Sequence, residues 1–489
     1  MNSQPHFDVI IIGSGAGGSA AAYNLVNAGL HVLLIEKGRS LPRDGSTLDF
    51  KQVVGQGKFN SKESWMDGKG HGLMPEEHFN IGGKTKWYGA ALLRYSHHEF
   101  AGDPKHQCPA WPIVLDDMAS YYDQAERMLG VREFECEPAL LHIINRLKAS
   151  SPGWQTKPLP LGLSANILSY PLEARHFDGF ASVANLKADG ESIFLNKIAT
   201  TPNFTLMTGV AVKELIPCAE NRTRIAGVRL ENDSIIMAGT VLLAAGALHS
   251  PRLLQQFMES QQLTSLPSYA NVGRNLKLHL LTAMVAISPS IKSDVIRKTT
   301  LFLDSDLSHS SIQPLGFDGE LIATLIPTWV PRFIANQIGK RAYGFFLQTE
   351  DGAHRDNRVI ASTNSLPTLD YDATRTPMAL HEHQQLVSRF RNALIRTGMI
   401  AFSQRIGLNG TAHASGTLMT GGNPMNSVVD PQGRVHGLKS LYVVDGSILP
   451  RSSRVNPALT IYAWSLLVSE KLAMQLKHEK MQSSESVPA

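Results

Sequence analysis

The N-terminal part of the chain alternates between apolar runs and glycine-containing stretches in a way that predicts a βαβ unit. The apolar run Phe7–Ile12 is short and continuous, which is typical of a strand buried on both faces. A stretch of small residues through Val26 follows and predicts a helix, which Gly29 ends. A second apolar run at 31–35 predicts the neighbouring strand.

Further along the chain, similar patterns predict a return to the same sheet. A helix is predicted over Leu115–Leu129, where apolar residues recur at helical spacing. Short apolar runs bounded by turn residues predict further strands at 204–207, 211–216, 225–230, 241–245 and 441–444.

Other segments differ in character from this sheet. Residues 55–100 are rich in glycine, lysine and histidine without clear periodicity, so they are predicted to form long loops, which often carry function. Residues 286–405 show alternating strand patterns and a helix over 379–396, which indicates a separate domain. An apolar helix is predicted over 457–476, and the polar tail 477–489 is expected to be disordered.

The composition fits a folded globular protein built from two joined domains. The chain has 489 residues, of which 18% are charged and 43% are hydrophobic. The formal net charge of +4 is small and no block of basic residues stands out, so nucleic acid is not an expected partner. No apolar stretch reaches the ~20 residues that cross a bilayer. Because the run at Phe7–Ile12 also lacks the pattern of a signal peptide, we expect a soluble, cytoplasmic protein.

The cysteines and histidines do not show the spacing of a disulfide framework or a metal site. The pair His97-His98, with His106 nearby, lacks standard ligand spacing, and the run at 381–383 is not H-E-x-x-H. We therefore expect no bound metal and interpret these histidines as solvated. Widely separated cysteines fit a reducing compartment, and they are Cys108, Cys136 and Cys218.

A glycine motif follows the first predicted strand and predicts a dinucleotide site. Gly13, Gly15 and Gly18 form G-x-G-x-x-G at the start of the first helix, and Glu36 ends the second strand. Missing Cβ atoms let a pyrophosphate approach the backbone and the helix N-terminus, while the Glu36 carboxylate can accept hydrogen bonds from ribose hydroxyls. The same glycines would also form a tight turn without a ligand. The motif alone does not decide between NAD and FAD.

Four further segments resemble the glucose-methanol-choline (GMC) family of FAD-dependent oxidoreductases, in that family's order and over most of the chain. The nearest resemblance is to the branch of pyranose oxidases and glycoside 3-oxidases. The segments are NIGGKTKWYGAALLR at 80–94, AGALHSPRLL at 245–254, VGRNLKLH at 272–279, and the region 413–456 with HASGT, VVDGSILP and VNPALT beginning within it.

The resemblance implies that FAD is the cofactor and assigns further residues to it. Ordinary turns and close packing remain alternative explanations for the small residues among them. The residues implied to bind FAD are Gly82, Gly83, Gly89, Ala90, Val210, Gly246, Asp445, Gly446, Pro457 and Ala458.

The resemblance also implies two catalytic residues. His413, surrounded by the small residues of HASGT, would accept the proton of a substrate alcohol while hydride passes to flavin N5. Asn456 would orient the alcohol oxygen, in a place where the family has His or Asn. A generic histidine is more often structural, and Asn456 before Pro457 is also the arrangement of a helix N-cap.

For the fold, the resemblance implies an α/β protein with a discontinuous Rossmann-like FAD-binding domain, as in GMC and p-hydroxybenzoate-hydroxylase-like proteins. A second α+β domain with an antiparallel sheet would bind substrate. The FAD domain would comprise 1–100, 186–285 and 406–476, and the substrate domain 101–185 and 286–405, with the active site between them.

The predicted function is FAD-dependent oxidation of an alcohol, specifically a secondary hydroxyl of a sugar or glycoside. Polar clusters at 304–311 and 348–355 would hydrogen-bond several hydroxyls, although solvated loops would explain them equally well. A sterol or aromatic alcohol is the alternative substrate. A non-redox lyase and an FAD-binding electron-transfer subunit are alternatives of another class.

The electron acceptor and the attachment of FAD are also predicted. Oxygen or a quinone would reoxidise the flavin. Pyranose oxidases attach FAD through a His beside Trp, and this chain has Lys86 at the matching place before Trp87, which predicts that FAD is bound without a covalent bond.

Overall fold

The computed structural model describes residues 7–316, 318–326, 329–361 and 366–485. The strands, numbered in chain order, are β1 (Phe7–Ile12), β2 (Val32–Glu36), β3 (Trp65–Asp67), β4 (Gly72–Leu73), β5 (Trp154–Pro158), β6 (Phe204–Thr208), β7 (Val212–Cys218), β8 (Asn221–Leu230), β9 (Ile235–Leu243), β10 (Leu280–Ile287), β11 (Thr300–Asp304), β12 (Ser310–Pro314), β13 (Ala342–Thr349), β14 (Arg358–Ile360), β15 (Thr368–Asp370), β16 (Ile400–Arg405) and β17 (Leu441–Val443).

The helices cover the faces of the sheets or connect their strands. They are α1 (Ala16–Asn27), α2 (His97–Phe100), α3 (Leu115–Leu129), α4 (Pro138–Ser150), α5 (Pro171–Arg175), α6 (Asn196–Ile198), α7 (Gly246–Ser260), α8 (Gly319–Leu325), α9 (Arg332–Gly339), α10 (Pro377–Arg396) and α11 (Ala458–Glu485).

The first sheet has seven strands in the order β6-β2-β1-β9-β8-β7, with β17 also paired to β9. β1 pairs in parallel with both β2 and β9, whereas β8 pairs antiparallel with β7 and β9. The central strands are runs of Val, Ile and Leu because both faces of the sheet are covered. α1 packs against α11, and α11 in turn packs against α3. The predicted βαβ unit and the return of the chain to its sheet are confirmed.

The second sheet is antiparallel and has six strands in the order β16-β10-β13-β12-β11-β5. Buried residues of α4 and α10, such as Leu147 and Phe390, pack against this sheet in a separate apolar cluster. The expected α+β domain with an antiparallel sheet is therefore confirmed. β10 begins at Leu280, so the second sheet starts inside the range 186–285 that was predicted for the FAD domain.

Two predictions about irregular segments are wrong. The segment 55–100 is not all loop, because β3 and β4 lie in it and join β15 and β14 in a four-stranded sheet. These strands are only three and two residues long, too short for a periodic pattern. The predicted disordered tail begins inside α11, which continues to Glu485. Residues 486–489 of that tail lie outside the described part of the chain.

Among the described residues, none forms a helix that combines the length and the apolar character of a membrane span.

Candidate active site

A cavity of about 590 Å³ lies beyond the carboxyl ends of β1, β2, β9 and β17. This is the position where parallel sheets of this type bind ligands. Residues from around the second sheet, including Lys298 and Phe346, form the opposite wall, so the cavity lies between the two sheets. All sixteen predicted site residues line it except Gly18 and Gly82.

The glycines of the first turn have different structural roles. A Cβ on Gly13 would lie 2.4 Å from the Ala244 carbonyl oxygen, and a Cβ on Gly18 would lie 1.9 Å from the Gly13 carbonyl oxygen. Close packing therefore requires glycine at both positions. Gly15 has no atom within 4 Å of its Cβ position and opens onto the cavity directly before α1. A ligand can therefore approach the backbone and the N-terminus of α1 at this point.

Glu36 lies at the end of β2 on the cavity wall and is almost completely buried. Its Oε2 accepts hydrogen bonds from the backbone N–H (3.0 Å) and the hydroxyl (2.6 Å) of Ser14. The Gly38 N–H donates to its Oε1 at 2.8 Å. Burial raises the pKa of Glu36 despite these donors. Its carboxyl group is held next to the glycine turn, where a ribose would lie if a dinucleotide binds there.

Asp445 connects two chain segments at the same end of the sheet. Its Oδ2 accepts from the Gly246 N–H at 2.9 Å and from the Ser250 hydroxyl at 2.5 Å. Its Oδ1 accepts from the N–H and the hydroxyl of Ser447. Asp445 thereby holds Gly246 and Gly446 on the cavity wall, and its role toward FAD stays a prediction.

The loop after β4 closes the cavity from another side. Gly83 and Ala90 both have positive φ values, of 54° and 51°, so the backbone turns sharply at both ends of this segment. A Cβ on Gly83 would lie 3.1 Å from the Cα of Gly15. The cavity volume, its glycine-lined wall and the helix N-terminus next to it fit a bound dinucleotide such as FAD.

The position of the proton on His413 follows from a chain of hydrogen bonds. His279 Nε2 lies 2.7 Å from the Ser453 carbonyl oxygen and 3.1 Å from that of Ser452. Because carbonyl oxygens only accept, His279 Nε2 carries a proton. Burial lowers the pKa of His279, so the ring is neutral and its Nδ1 is an acceptor. The Nδ1 atoms of His279 and His413 are 2.6 Å apart, so His413 Nδ1 must be the donor of this hydrogen bond. His413 Nε2 is then left unprotonated.

Asn456 is oriented by a neighbour in the second sheet. Gln313 of β12 donates from Nε2 to Asn456 Oδ1 at 2.5 Å. The donating Nδ2 of Asn456 therefore faces His413 Nε2, at a distance of 3.5 Å. An acceptor nitrogen and a donor nitrogen thus lie side by side on the cavity wall, which suits an alcohol O–H that both donates and accepts.

His413 is kept neutral by its surroundings. Burial lowers its pKa well below the ordinary value of 6.5, and the neighbouring His279, Lys298 and Lys84 lower it further. Lys84 is fixed near the cavity by hydrogen bonds to Glu77 Oε1 at 2.6 Å and to the Thr411 carbonyl oxygen at 2.8 Å. His413 is therefore a base, not an acid, at neutral pH.

Two residues of this arrangement were missed by the sequence analysis. His279 ends the quoted segment VGRNLKLH, so the family resemblance contained a signal for it, but its contact with His413 joins residues 134 positions apart. Gln313 gave no signal, since it lies in an ordinary strand pattern. The cavity lining does not include the polar clusters 304–311 and 348–355, so the expectation that they bind substrate hydroxyls is wrong.

One residue of each cluster, His309 and Glu350, instead belongs to a buried ion network next to the active site. Arg451 donates to both carboxylate oxygens of Glu350, from Nε at 2.8 Å and from Nη2 at 2.5 Å. His309 contacts Glu350 through Nδ1 at 2.9 Å and Asp103 through Nε2 at 3.0 Å. Burial alone would lower the pKa of His309, but the two carboxylates raise it above the ordinary value.

Two of the histidines that were interpreted as solvated are not, whereas His97 and His381 are exposed as expected. His106 is half-buried and stacks on His309 with a ring distance of 3.9 Å, while His383 is buried between Thr282 and Thr349. Asp103, His106 and His309 come close enough to hold a metal ion. Both nitrogens of His309 are already hydrogen-bonded, and the guanidinium of Arg451 lies 3.4 Å from Nδ1. The absence of a bound metal stays a prediction.

The chain matches models of known protein families. Two family models described as GMC oxidoreductase match the chain, over residues 81–281 and 351–465. A model of an NAD(P)-binding Rossmann-like domain matches residues 11–51, which include the glycine turn and Glu36. The three matches together include His279, His413 and Asn456.

Two similar proteins come from species of Streptomyces. The 6'''-hydroxyparomomycin C oxidase of Streptomyces lividus is 29% identical, over 97% of this chain and 92% of that protein. The paromamine 6'-oxidase of Streptomyces fradiae is 28% identical, over 96% of this chain and 92% of that protein.

Among solved structures, a formate oxidase of Aspergillus oryzae has the same fold. Its TM-score is 0.69 at 14% identity, with 98% of this chain and 100% of that chain covered. The chain described here belongs to the GMC oxidoreductase family, as an FAD-dependent enzyme that oxidises alcohol groups.

Proposed function

We propose that this enzyme oxidises a hydroxyl of a sugar or glycoside, with His413 as the base and Asn456 as the residue that positions the substrate oxygen. The observation that carries the proposal is the set of contacts around His413, from which we infer that its Nε2 faces the cavity unprotonated beside Asn456 Nδ2. When bound, FAD supplies the acceptor for the hydride that leaves the alcohol carbon.

The protein's own residues prepare and remove the alcohol proton. Asn456 Nδ2 donates a hydrogen bond to the substrate oxygen, and His413 Nε2 accepts the hydroxyl proton. The charge that His413 gains is stabilised through Nδ1 by His279, which is itself held by the carbonyls of Ser452 and Ser453. α11 begins at Ala458 on the cavity wall, and its N-terminus favours negative charge there.

Two observations support a sugar-like substrate. The Streptomyces relatives carry the names of oxidases that act on paromamine and on 6'''-hydroxyparomomycin C. The cavity wall opposite the glycine turn also presents an ion pair, Asp178 and Lys298, whose remaining hydrogen-bonding positions an apolar alcohol would leave unused. A secondary ring hydroxyl is the position favoured by the resemblance to pyranose and glycoside oxidoreductases.

The substrate class is tested by anaerobic flavin reduction with glucose, a methyl glucoside, benzyl alcohol and cholesterol at matched concentrations. We expect the fastest bleaching of flavin absorbance with one of the sugars. Faster bleaching by either apolar alcohol would overturn the sugar assignment and leave the FAD-dependent mechanism intact. Reoxidation of the reduced enzyme by air and by a quinone then distinguishes the two acceptors.

FAD is expected to be bound without a covalent bond. Lys86, which stands before Trp87, is buried and held in ion pairs with Asp189 at 3.0 Å and Glu191 at 2.5 Å. Precipitation with acid should therefore release all flavin absorbance into the supernatant. If colour stays in the pellet, the prediction is wrong, and His78, which stacks on Trp87 at the cavity wall, becomes the residue to replace.

The rate of flavin reduction is expected to stay constant as the pH falls through 6.5. Because the pKa of His413 lies well below 6.5, its ring is neutral and able to accept a proton above that pH. Activity is lost only when the pH falls through the lowered pKa. Rapid mixing at low substrate concentration over a pH series measures this, with the flavin spectrum as the control for cofactor loss. A drop to half of the maximal rate at pH 6.5 would contradict it.

A further inference from the structure

The ion pair of Asp178 and Lys298 lies on the cavity wall that the second sheet provides. Asp178 follows α5 and Lys298 precedes β11, and Lys298 Nζ donates to Asp178 Oδ2 at 2.9 Å. Their side chains are 14% and 6% exposed, and both line the cavity. An ion pair so little exposed has to be satisfied by partners within the protein or by a ligand.

The pair has hydrogen-bonding capacity that the protein does not use. Asp178 Oδ2 accepts from Lys298 and from the Gly316 N–H at 2.9 Å. Within the described parts of the chain, no group donates to Asp178 Oδ1, and Lys298 Nζ donates to no second acceptor. An ammonium has three donors and a carboxylate oxygen has two acceptor positions. An acceptor and a donor are therefore available side by side.

The opposite side of the pair is closed by backbone. A Cβ on Gly89 would lie 2.2 Å from Asp178 Oδ1 and 2.3 Å from Lys298 Nζ, so only glycine leaves both atoms where they are. Gly89 was assigned to FAD by the family resemblance. The atoms nearest to a Cβ at this position are the two charged atoms of the pair, and the role of Gly89 toward FAD stays a prediction.

The pair lies near the reacting groups. Gln313 in β12 holds Asn456, and Gly316, three residues further on, holds Asp178. Three residues of extended chain span about 10 Å at most. The charge of Lys298 is also among those that lower the pKa of His413, after burial and His279. Asn456 and the ion pair therefore lie along one stretch of the cavity wall, close enough for the charge of Lys298 to act on His413.

We propose that Asp178 and Lys298 form a subsite for two neighbouring hydroxyls of the substrate. One hydroxyl donates to Asp178 Oδ1, and the adjacent hydroxyl accepts from Lys298 Nζ. A vicinal diol matches the pair because each of its hydroxyls can donate or accept. The proposal rests on the proposed oxidation of a sugar hydroxyl at His413, and it names the part of the site that recognises the rest of the sugar ring.

The test compares the binding of cyclohexanol and trans-1,2-cyclohexanediol to the FAD-loaded enzyme. Dissociation constants come from the concentration dependence of flavin bleaching under anaerobic conditions, or of the spectral perturbation where no bleaching occurs. The unaltered enzyme should bind the diol about tenfold more tightly or better, the usual scale for hydrogen bonds to charged groups. Lys298→Met and Asp178→Asn should each remove most of this preference.

Two further variants keep the result interpretable. The double variant Asp178→Asn, Lys298→Met removes both charges of the pair, so it separates lost recognition from the effect of leaving one of the two without the other. Arg389→Met breaks an ion pair with Asp304 and Asp306 outside the cavity and should keep the full preference for the diol. An unaltered enzyme without diol preference, or a preference retained in the double variant, would overturn the proposal. Because the dissociation constants of both ligands are measured, the test of the diol subsite stays valid even if no sugar reduces the flavin.

Discussion

Replacing His413 with alanine is expected to lower the rate of flavin reduction by roughly 10²- to 10⁴-fold, the usual contribution of a general base. The variant loses the one nitrogen that the hydrogen bonds of His279 leave unprotonated toward the cavity. Water can replace the missing acceptor only poorly, because it is not held in position. Rapid mixing of the FAD-loaded variant with substrate in the absence of oxygen measures the change.

The control variant for His413→Ala is His381→Ala. His381 is an exposed histidine of α10 that contacts Gln385 in the next turn. Its replacement should leave the rate unchanged. The flavin absorption spectrum of both variants should match that of the unaltered enzyme, since His413 is not required to hold the fold. An unchanged rate in His413→Ala with a normal flavin spectrum would remove His413 from the mechanism.

Glu350→Gln is expected to destabilise the protein by roughly 3–5 kcal/mol, the range found when one partner of a buried ion pair is removed. The side chains of Glu350 and Arg451 have no exposed area. Glu350 also accepts hydrogen bonds from the Ser453 N–H and from His309 Nδ1. Glutamine leaves the guanidinium of Arg451 buried without a counter-charge. Denaturant unfolding followed by tryptophan fluorescence measures the loss.

The matched control for Glu350 is Glu214→Gln. Glu214 forms a salt bridge with Arg229 on the surface, where both side chains are about a third or more exposed. Exposed pairs of this kind contribute about 0–1 kcal/mol. A similarly small loss in the free energy of unfolding for Glu350→Gln would show that the buried ion network contributes little to stability. Because Glu350 fixes the segment whose carbonyls orient His279, its loss should also lower activity in the fraction that stays folded.

The elements with strong local patterns were predicted well. β1 and α3 have the predicted bounds, because a buried strand and an amphipathic helix are both visible in a few consecutive residues. β3 and β4 were missed because strands this short show no periodic pattern, and β3 pairs not only with β4 but also with β15, which is distant in sequence. α11 is longer than predicted because a polar helix end can extend beyond the sheet without an apolar face.

The residues of the candidate site also differ in whether a local sequence pattern reveals them. His413, Asn456 and the glycine turn were found because each sits in a local motif that resembles a known family. His279, Gln313 and the Asp178–Lys298 pair act through contacts between distant segments, and composition alone does not reveal such contacts. The polar cluster at 304–311 was misassigned for the same reason. Its residues meet Glu382, Arg389 and Arg454, which use their hydrogen bonds inside the protein.

The measurement that tests the central claim most directly is a single anaerobic turnover with the best sugar substrate. FAD-loaded enzyme in excess over the sugar should lose flavin absorbance in proportion to the carbonyl product formed, one flavin for each product molecule. Formation of product while the flavin stays oxidised would indicate a non-redox lyase. Absence of both bleaching and product with every alcohol tested would indicate an FAD-binding protein without this activity, and either result would contradict the account.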